Sequence, residues 1–188
     1  MTMHASVRRR LLNALWAAPL IALSVGSTSA HAASAAEIDA QVNQALKDFQ
    51  KIDGASPYLK IAKGVLVFPK VYKAGIGVGG EYGEGALRVG GRTVDYYSTA
   101  AASIGFQLGA QAKSIVVIFT QTEALEKFRA SEGWKVGVDG SVALVDLGAG
   151  KAVDTTNIKD PVVGFIFGQK GLMYNLTLEG AKFTRLKR

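Results

Sequence analysis

The chain has 188 residues, 48% of them hydrophobic, with no cysteine, two histidines and a formal net charge of +7. Without cysteine there is no disulfide framework, no thiol nucleophile and no thiolate metal site. Stability has to come from a core, and this length is ample for one domain with one core.

The first segment reads as a secretory signal peptide. Arg8, Arg9 and Arg10 form its positive region, Leu11 to Val25 its apolar run, interrupted by Pro19, and Ala30-His31-Ala32 its small-residue cleavage site. The apolar run is too short for a good transmembrane helix. The expected organisation is a signal over 1–32 and a single domain over 33–188, periplasmic or secreted and peripheral to a membrane. Cleavage would remove both histidines, His4 and His31, and with them histidine general bases and histidine metal or haem ligation. It would leave 19 basic against 15 acidic residues, a balance of +4. That balance is segregated. Residues 57–73 carry Lys60, Lys63, Lys70 and Lys73 with no acid. Residues 170–188 carry Lys170, Lys182, Arg185, Lys187 and Arg188 against Glu179 alone. Two such stretches make an anion-binding face if they meet in space, and two solvated surfaces if they do not.

Glu37 to Gln50 predicts a helix, with Ile38, Val42, Ala45, Leu46 and Phe49 on one face. Its polar face holds Glu37, Asp39 and Asp48, so its stripe is read as core packing rather than a membrane-surface face. Pro57 at a first helical position, capped by Ser56, predicts a short helix through Lys63 that Gly64 ends. Val65 to Phe68 predicts a strand, and Ile76 to Val89 a long strand or a hairpin turning near Gly83 to Gly85. Tyr96 to Ala110 alternates as a further strand. Ile115 to Phe119 is a continuous apolar run, the pattern of a central buried strand. Thr120-Gln121-Thr122-Glu123 reads as a capping box opening a helix from Glu123 to Ala130, which Gly133 stops. Asp139-Gly140 predicts a hairpin between Trp134–Val138 and Ser141–Leu147. Gly168 to Gly171 predicts another, between Val162–Phe167 and Leu172–Leu178. Ala181 to Leu186 is the last strand, and 148–160 reads as a loop. The expected fold class is α+β: one mainly antiparallel β domain, barrel- or sandwich-like, with N-terminal helices and one internal helix near 123–130.

Gly75-Ile76-Gly77-Val78-Gly79-Gly80 matches GxGxxG in form. A dinucleotide site needs that turn to open a helix, and Glu81-Tyr82-Gly83-Glu84-Gly85 cannot propagate one. The glycines instead leave one strand face bare, which lets another element or a ligand approach the backbone. Glu81 and Glu84 are the close carboxylate pair of this block. They are read as solvated strand or turn residues, and a buried Glu81 or Glu84 beside a lysine in a cleft would be the mark of an enzyme. The serines have no histidine partner. Aromatics do not interleave with the basic stretches, so no nucleic-acid groove is expected.

Several segments together resemble the SYLF domain family, the yeast actin-patch type. They are Ala62-Lys63-Gly64-Val65, Lys73-Ala74-Gly75-Ile76-Gly77, the small-residue run Ala100 to Gly109 and Thr122-Glu123-Ala124-Leu125 with Phe128. Gly168-Gln169-Lys170-Gly171-Leu172 and Glu179-Gly180-Ala181 complete the set. The resemblance implies a non-catalytic domain without a cofactor that binds phosphoinositide-rich membranes and, in some members, actin. In a bacterial envelope the implied ligand is an anionic phospholipid headgroup, phosphatidylglycerol or cardiolipin. Lys63, Lys73, Gly75 and Gly77 match the family pattern. The family's membrane-active N-terminal helix would correspond to Glu37–Gln50, which departs from the pattern by being acidic. The candidate lipid- or anion-binding residues are Lys60, Lys63, Lys70, Lys73, Arg88 and Arg92, joined by Lys182 and Arg185. The alternative is an envelope structural or protein-interaction module that binds a protein partner and no lipid.

Overall fold

The structure, a computed structural model, describes residues 33–145, 159–171 and 177–188. The signal-peptide reading of 1–32 and most of the 148–160 loop lie outside the described residues, as does the start of the strand expected at Leu172–Leu178.

The fold is α+β, as the pattern predicts. Helix α1 spans Ala35–Gln50, with Ser34 as its N-cap accepting from the Glu37 amide. Helix α2 spans Ala55–Ile61, strand β1 Gly64–Val89 and strand β2 Arg92–Phe119. Helix α3 covers Thr122–Ala130. Short strands follow: β3 Gly133–Lys135, β4 Ala143–Leu144, β5 Val162–Gly171 and β6 Lys182–Leu186. β2 is the spine. β1 pairs along the whole of it, while β6 pairs with residues 96–100 and β5 with residues 111–119. All these pairings are antiparallel; β4 alongside β5 is parallel.

The strands expected to be separate are fused. β1 and β2 form one hairpin, and its turn lies at Gly90 and Gly91, both at positive φ, not at Gly83–Gly85. A hairpin this long must bend. At Gly75 an added Cβ would lie 2.4 Å from Gly79 Cα, so the chain turns a tight corner there. Beyond the corner, β1 folds back against its own first half. A Cβ at Gly83 would meet the Lys70 carbonyl oxygen at 2.6 Å, and one at Gly85 would meet that of Val67 at 1.9 Å. The close approach to another part of the chain thus falls at Gly83 and Gly85, where a turn is expected, rather than at the Gly75–Gly80 run.

The curl divides the core in two. Inside it lie Leu66, Phe68, Val71, Leu87, Tyr97, Ile115, Val117 and Phe119, sealed by Leu125 and Phe128 of α3 with Trp134 and Phe183. Trp134 stacks on Phe183 with ring centroids 5.8 Å apart. Outside it, Ile38, Val42, Ala45 and Phe49 of α1 cover Val67, Val116, Ile118 and Phe165. Ile115–Phe119 is the central buried strand that its apolar run predicts, covered on both faces.

Several local expectations differ. The N-cap of α2 is Gly54 at φ 84, so Ser56 and Pro57 fall inside the first turn. The α3 capping box does not form: Gln121 is the N-cap without a side-chain bond, because the Thr120 hydroxyl donates to the Asp160 carbonyl at 2.7 Å. Ser131 ends α3, and Gly133 opens β3 instead. Asp139-Gly140 makes a turn, with the Asp139 carboxylate accepting from the Lys135 amide at 2.6 Å, but β3 pairs with β6 and β4 with β5, so no hairpin joins them.

Gly85→Ala should lower stability by about 3 kcal/mol, since backbone rather than a flexible side chain occupies the space. Gly80→Ala meets nothing within 4 Å and should be neutral or slightly stabilising. Urea unfolding of both variants checks this, and equal effects would contradict the self-packed hairpin.

Candidate functional site

Two β-bulges decide which residues reach the solvent. In β1, Pro69 and Lys70 together face Ser114, between the pairs Phe68↔Ile115 and Val71↔Lys113. In β5, Gly168 and Gln169 together face Lys113, between Ser114↔Phe167 and Ala112↔Lys170. Proline has no amide hydrogen to donate to a ladder, and Gly168 supplies φ 63, so each bulge has its local cause. The Ser114 hydroxyl, opposite the β1 bulge, donates to the Pro69 carbonyl at 2.8 Å. The extra residue in β1 reverses its alternation: Leu66 and Phe68 point into the curl, and after the bulge Val71 does. Lys70 and Tyr72 thereby face out, and Lys73 faces in.

On the outer face the bulges open a groove of about 600 Å³ between α1 and the sheet. Lys70 and Lys170 line it with Tyr72, over a floor that includes Pro69, Ala112 and Phe167. The two basic stretches of the sequence thus meet here, one lysine from each. Tyr72, Ala112 and Lys170 form one row across β1, β2 and β5. Tyr82, Ala100 and Lys182 form the matching row across β1, β2 and β6. The rows flank the Gly75–Gly79 corner, and Tyr72, Val78 and Tyr82 are 59, 66 and 51% exposed. On the α1 side, Asp48 is already held by Gln44 and Lys51, whose hydrogen bonds keep its carboxyl below the usual carboxylate range.

The inner face carries a polar cluster. Lys73, Glu81, Thr99, Gln111 and Lys113 are all buried. Lys113 Nζ lies 2.9 Å from Glu81 Oε2. Glu81 is therefore not a solvated strand residue. Glu84, also away from bulk solvent, accepts from the Tyr82 hydroxyl and from Arg188, both at 2.8 Å. A buried glutamate beside a lysine is what an acid–base site would present, but here each satisfies the other.

The candidate residues separate accordingly. Lys70 lines the outer groove and Lys182 lies on the second outer row. Lys60 and Lys63 are exposed at the end of α2, and Arg92 beside the hairpin turn. Arg88 is a fastening, reaching Asn43 Oδ1 at 2.8 Å, Asp39 at 3.5 Å and the Gly91 carbonyl. Asp39 completes that joint by accepting from Thr93 and Tyr96. Arg185 lies 3.7 Å from Asp95, bonds the Arg129 carbonyl and sits over the Tyr97 ring. Burial pushes the Tyr97 phenol up, against the pull of its Arg185 hydrogen bond. Sequence reasoning missed Tyr72, Tyr82, Gln111 and Lys113. The last two were accessible, because stepping back by twos from Val117 and Ile115 reaches Lys113 and then Gln111 on the same face.

Residues 100–188 match the model of a family described as Ysc84, Las17-binding protein actin regulator. No curated protein matches the chain. The match spans most of β2 and everything after it; β1, with Lys70, Tyr72 and Tyr82, lies before it.

Removing one member of a sealed ion pair strands the other charge, so Glu81→Gln or Lys113→Met alone should cost about 3–5 kcal/mol. The double substitution Glu81→Leu/Lys113→Met should cost much less than the two singles summed. Denaturant unfolding of the four-member cycle reads the coupling, and additive losses would mean that the pair does not interact.

Proposed function

We propose, for a chain that carries a SYLF-family (Ysc84) domain over residues 100–188, that it binds membrane surfaces bearing anionic phospholipid headgroups. That family is described as a Las17-binding protein and actin regulator, and the lipid ligand comes from the sequence resemblance. The observation that carries the reading is the groove in which Lys70 and Lys170 stand beside the exposed Tyr72. Lysine supplies a point charge for phosphate, and tyrosine an amphipathic ring suited to the headgroup level. The second row, Tyr82 and Lys182, repeats that pairing on the other flank of the corner. The corner end of the curled hairpin then rests on the membrane, with Val78 entering deepest.

The reading places the protein at an envelope membrane as a secreted or periplasmic binding domain, with phosphatidylglycerol or cardiolipin as the ligand class. It needs no catalytic group, consistent with a family described as a regulator. The helix α1 stripe takes no part, since Ile38, Val42 and Phe49 are spent on the sheet. The family description also favours a second reading, in which the same outer face receives a protein partner.

Each lysine at an anionic surface contributes about 1 kcal/mol. The triple variant Lys70→Gln/Lys170→Gln/Lys182→Gln should therefore bind phosphatidylglycerol vesicles roughly 100-fold more weakly at low salt. Neutral vesicles should not bind, and high salt should release the wild type. Co-sedimentation measures all three. Undiminished binding by the triple variant would reject this face. Failure of every vesicle, with salt-insensitive retention of one defined protein, would establish the second reading.

A further inference from the structure

The polar lining of the outer groove is almost wholly satisfied from within the chain. The Lys113 ammonium is held by Glu81 at 2.9 Å. The Ser114 hydroxyl donates to the Pro69 carbonyl. On the α1 rim, Asp48 accepts from Gln44 at 3.0 Å and pairs with Lys51, while Gln41 donates to Glu37. Lys70 and Lys170 are the exceptions. Both are exposed, and among the described residues neither has an ion-pair or hydrogen-bond partner. Two free cations thus overlook a groove whose other charged groups are already paired.

Below those cations the floor is apolar and continuous. Ala112 lies between Tyr72 and Lys170 on the row nearer the Gly75–Gly79 corner, and Pro69 and Phe167 flank Ser114 one row back. The Phe167 ring packs on Phe49 of α1 with centroids 5.5 Å apart, and Ala45 of the same helix also lines the groove. The floor therefore runs from the charged, exposed side inward to the foot of α1. The groove volume of about 600 Å³ lies within the range of small-ligand pockets. At roughly 30 Å³ for each heavy atom, the share a water takes in the liquid, it admits about 20 atoms. That is room for one acyl chain and not for two.

We propose that the groove is a one-to-one site for a single-chain anionic phospholipid of the lysophosphatidylglycerol type, with its tail along Pro69, Ala112 and Phe167 and its phosphate between Lys70 and Lys170. The chemistry of the head rests on the anionic-headgroup reading above. The single chain goes beyond it: the protein holds one monoacyl lipid clear of any bilayer, as well as meeting a bilayer surface. Burial of the tail drives binding, because apolar area leaves water, and the two lysines select the charge of the head.

The test uses the full chain and lysophosphatidylglycerol kept below its critical micelle concentration. Native mass spectrometry and calorimetry should show one lipid per chain, and Tm should rise as lipid is added. Lysophosphatidylcholine with the same tail, whose head has no net charge, should bind about 30-fold more weakly. Lys70→Gln/Lys170→Gln should lose about as much for lysophosphatidylglycerol, and both side chains are exposed, so that variant keeps its fold. Glycerol 3-phosphate, the head without the tail, should not compete. Ala112→Phe puts a ring on the floor and should abolish the one-to-one complex, with circular dichroism checking that the chain is folded. Equal affinity for the two lysolipids, competition by glycerol 3-phosphate, a complex retained in folded Ala112→Phe, or none in the wild type would each overturn the proposal. Wild type that binds phosphatidylglycerol vesicles but no monomeric lysolipid would overturn it and leave the membrane reading standing. The reverse pattern would uphold the groove site and reject the membrane one.

Discussion

The contact of β1 with itself is the constraint on which the rest of the molecule depends. Gly83 and Gly85 sit against the carbonyl oxygens of Lys70 and Val67 at distances that no side chain could occupy. Because that approach is so close, two strands suffice to enclose a core that would otherwise need two separate sheets. Leu66, Phe68, Leu87 and Tyr97 come from opposite limbs of the same hairpin and end together inside it. The approach also fixes what lies next to the core. Glu81 is two residues from Gly83 and is carried into the interior with it, where Lys113 of β2 meets it. The ion pair joins the two limbs at their polar end, as the aromatic cluster of Phe68, Phe183 and Trp134 joins them at the apolar end.

The bulges at Pro69–Lys70 and Gly168–Gln169 then determine what each face presents. One extra residue in a strand exchanges its inner and outer sets. Without the β1 bulge, Lys70 and Tyr72 would point into the curl and Lys73 to solvent. With it, a lysine and a tyrosine reach the groove, while the lysine three residues on is buried. The paired bulge in β5 brings Lys170 to the same groove. Neighbouring lysines of one basic stretch thus serve two different environments.

The sequence made the element types legible because they depend on local pattern. The α1 stripe, the Ile115–Phe119 run and the Ala124-Leu125-Phe128 face of α3 each state their burial in their own spacing. The close backbone approach was less legible: it falls at Gly83 and Gly85, beyond the Gly75–Gly80 alternation that suggests one, and nothing in Gly83-Glu84-Gly85 encodes Val67. The hairpin turn was misplaced for a related reason: Gly83–Gly85 and Gly90–Gly91 are equally turn-like locally, and only the pairing of Leu87 with Asp95 separates them. The site was harder still. Charge was visible, but the face on which each charge lies depends on the parity of the strand. Lys73 shares a basic stretch with Lys70 but not a face, because the bulge at Pro69–Lys70 shifts the alternation between them. Arg88 and Arg185 were legible as charges and not as fastenings, because Asp39 and Asp95 approach them only in the folded chain.

Clusters of lysine in a sequence therefore carry two different kinds of energy once folded. Lys70, Lys170 and Lys182 stand in water, where each acts weakly, adds to its neighbours and is screened within about 10 Å at ordinary ionic strength. Lys73 and Lys113 stand where the effective dielectric is low, so a partner's presence or absence matters far more and salt reaches it far less. Lys113 shows the second kind, paired with Glu81 at 2.9 Å inside the hairpin. Added salt therefore weakens what the outer lysines do, while the pair enclosed by the curl that Gly83 and Gly85 permit is screened far less.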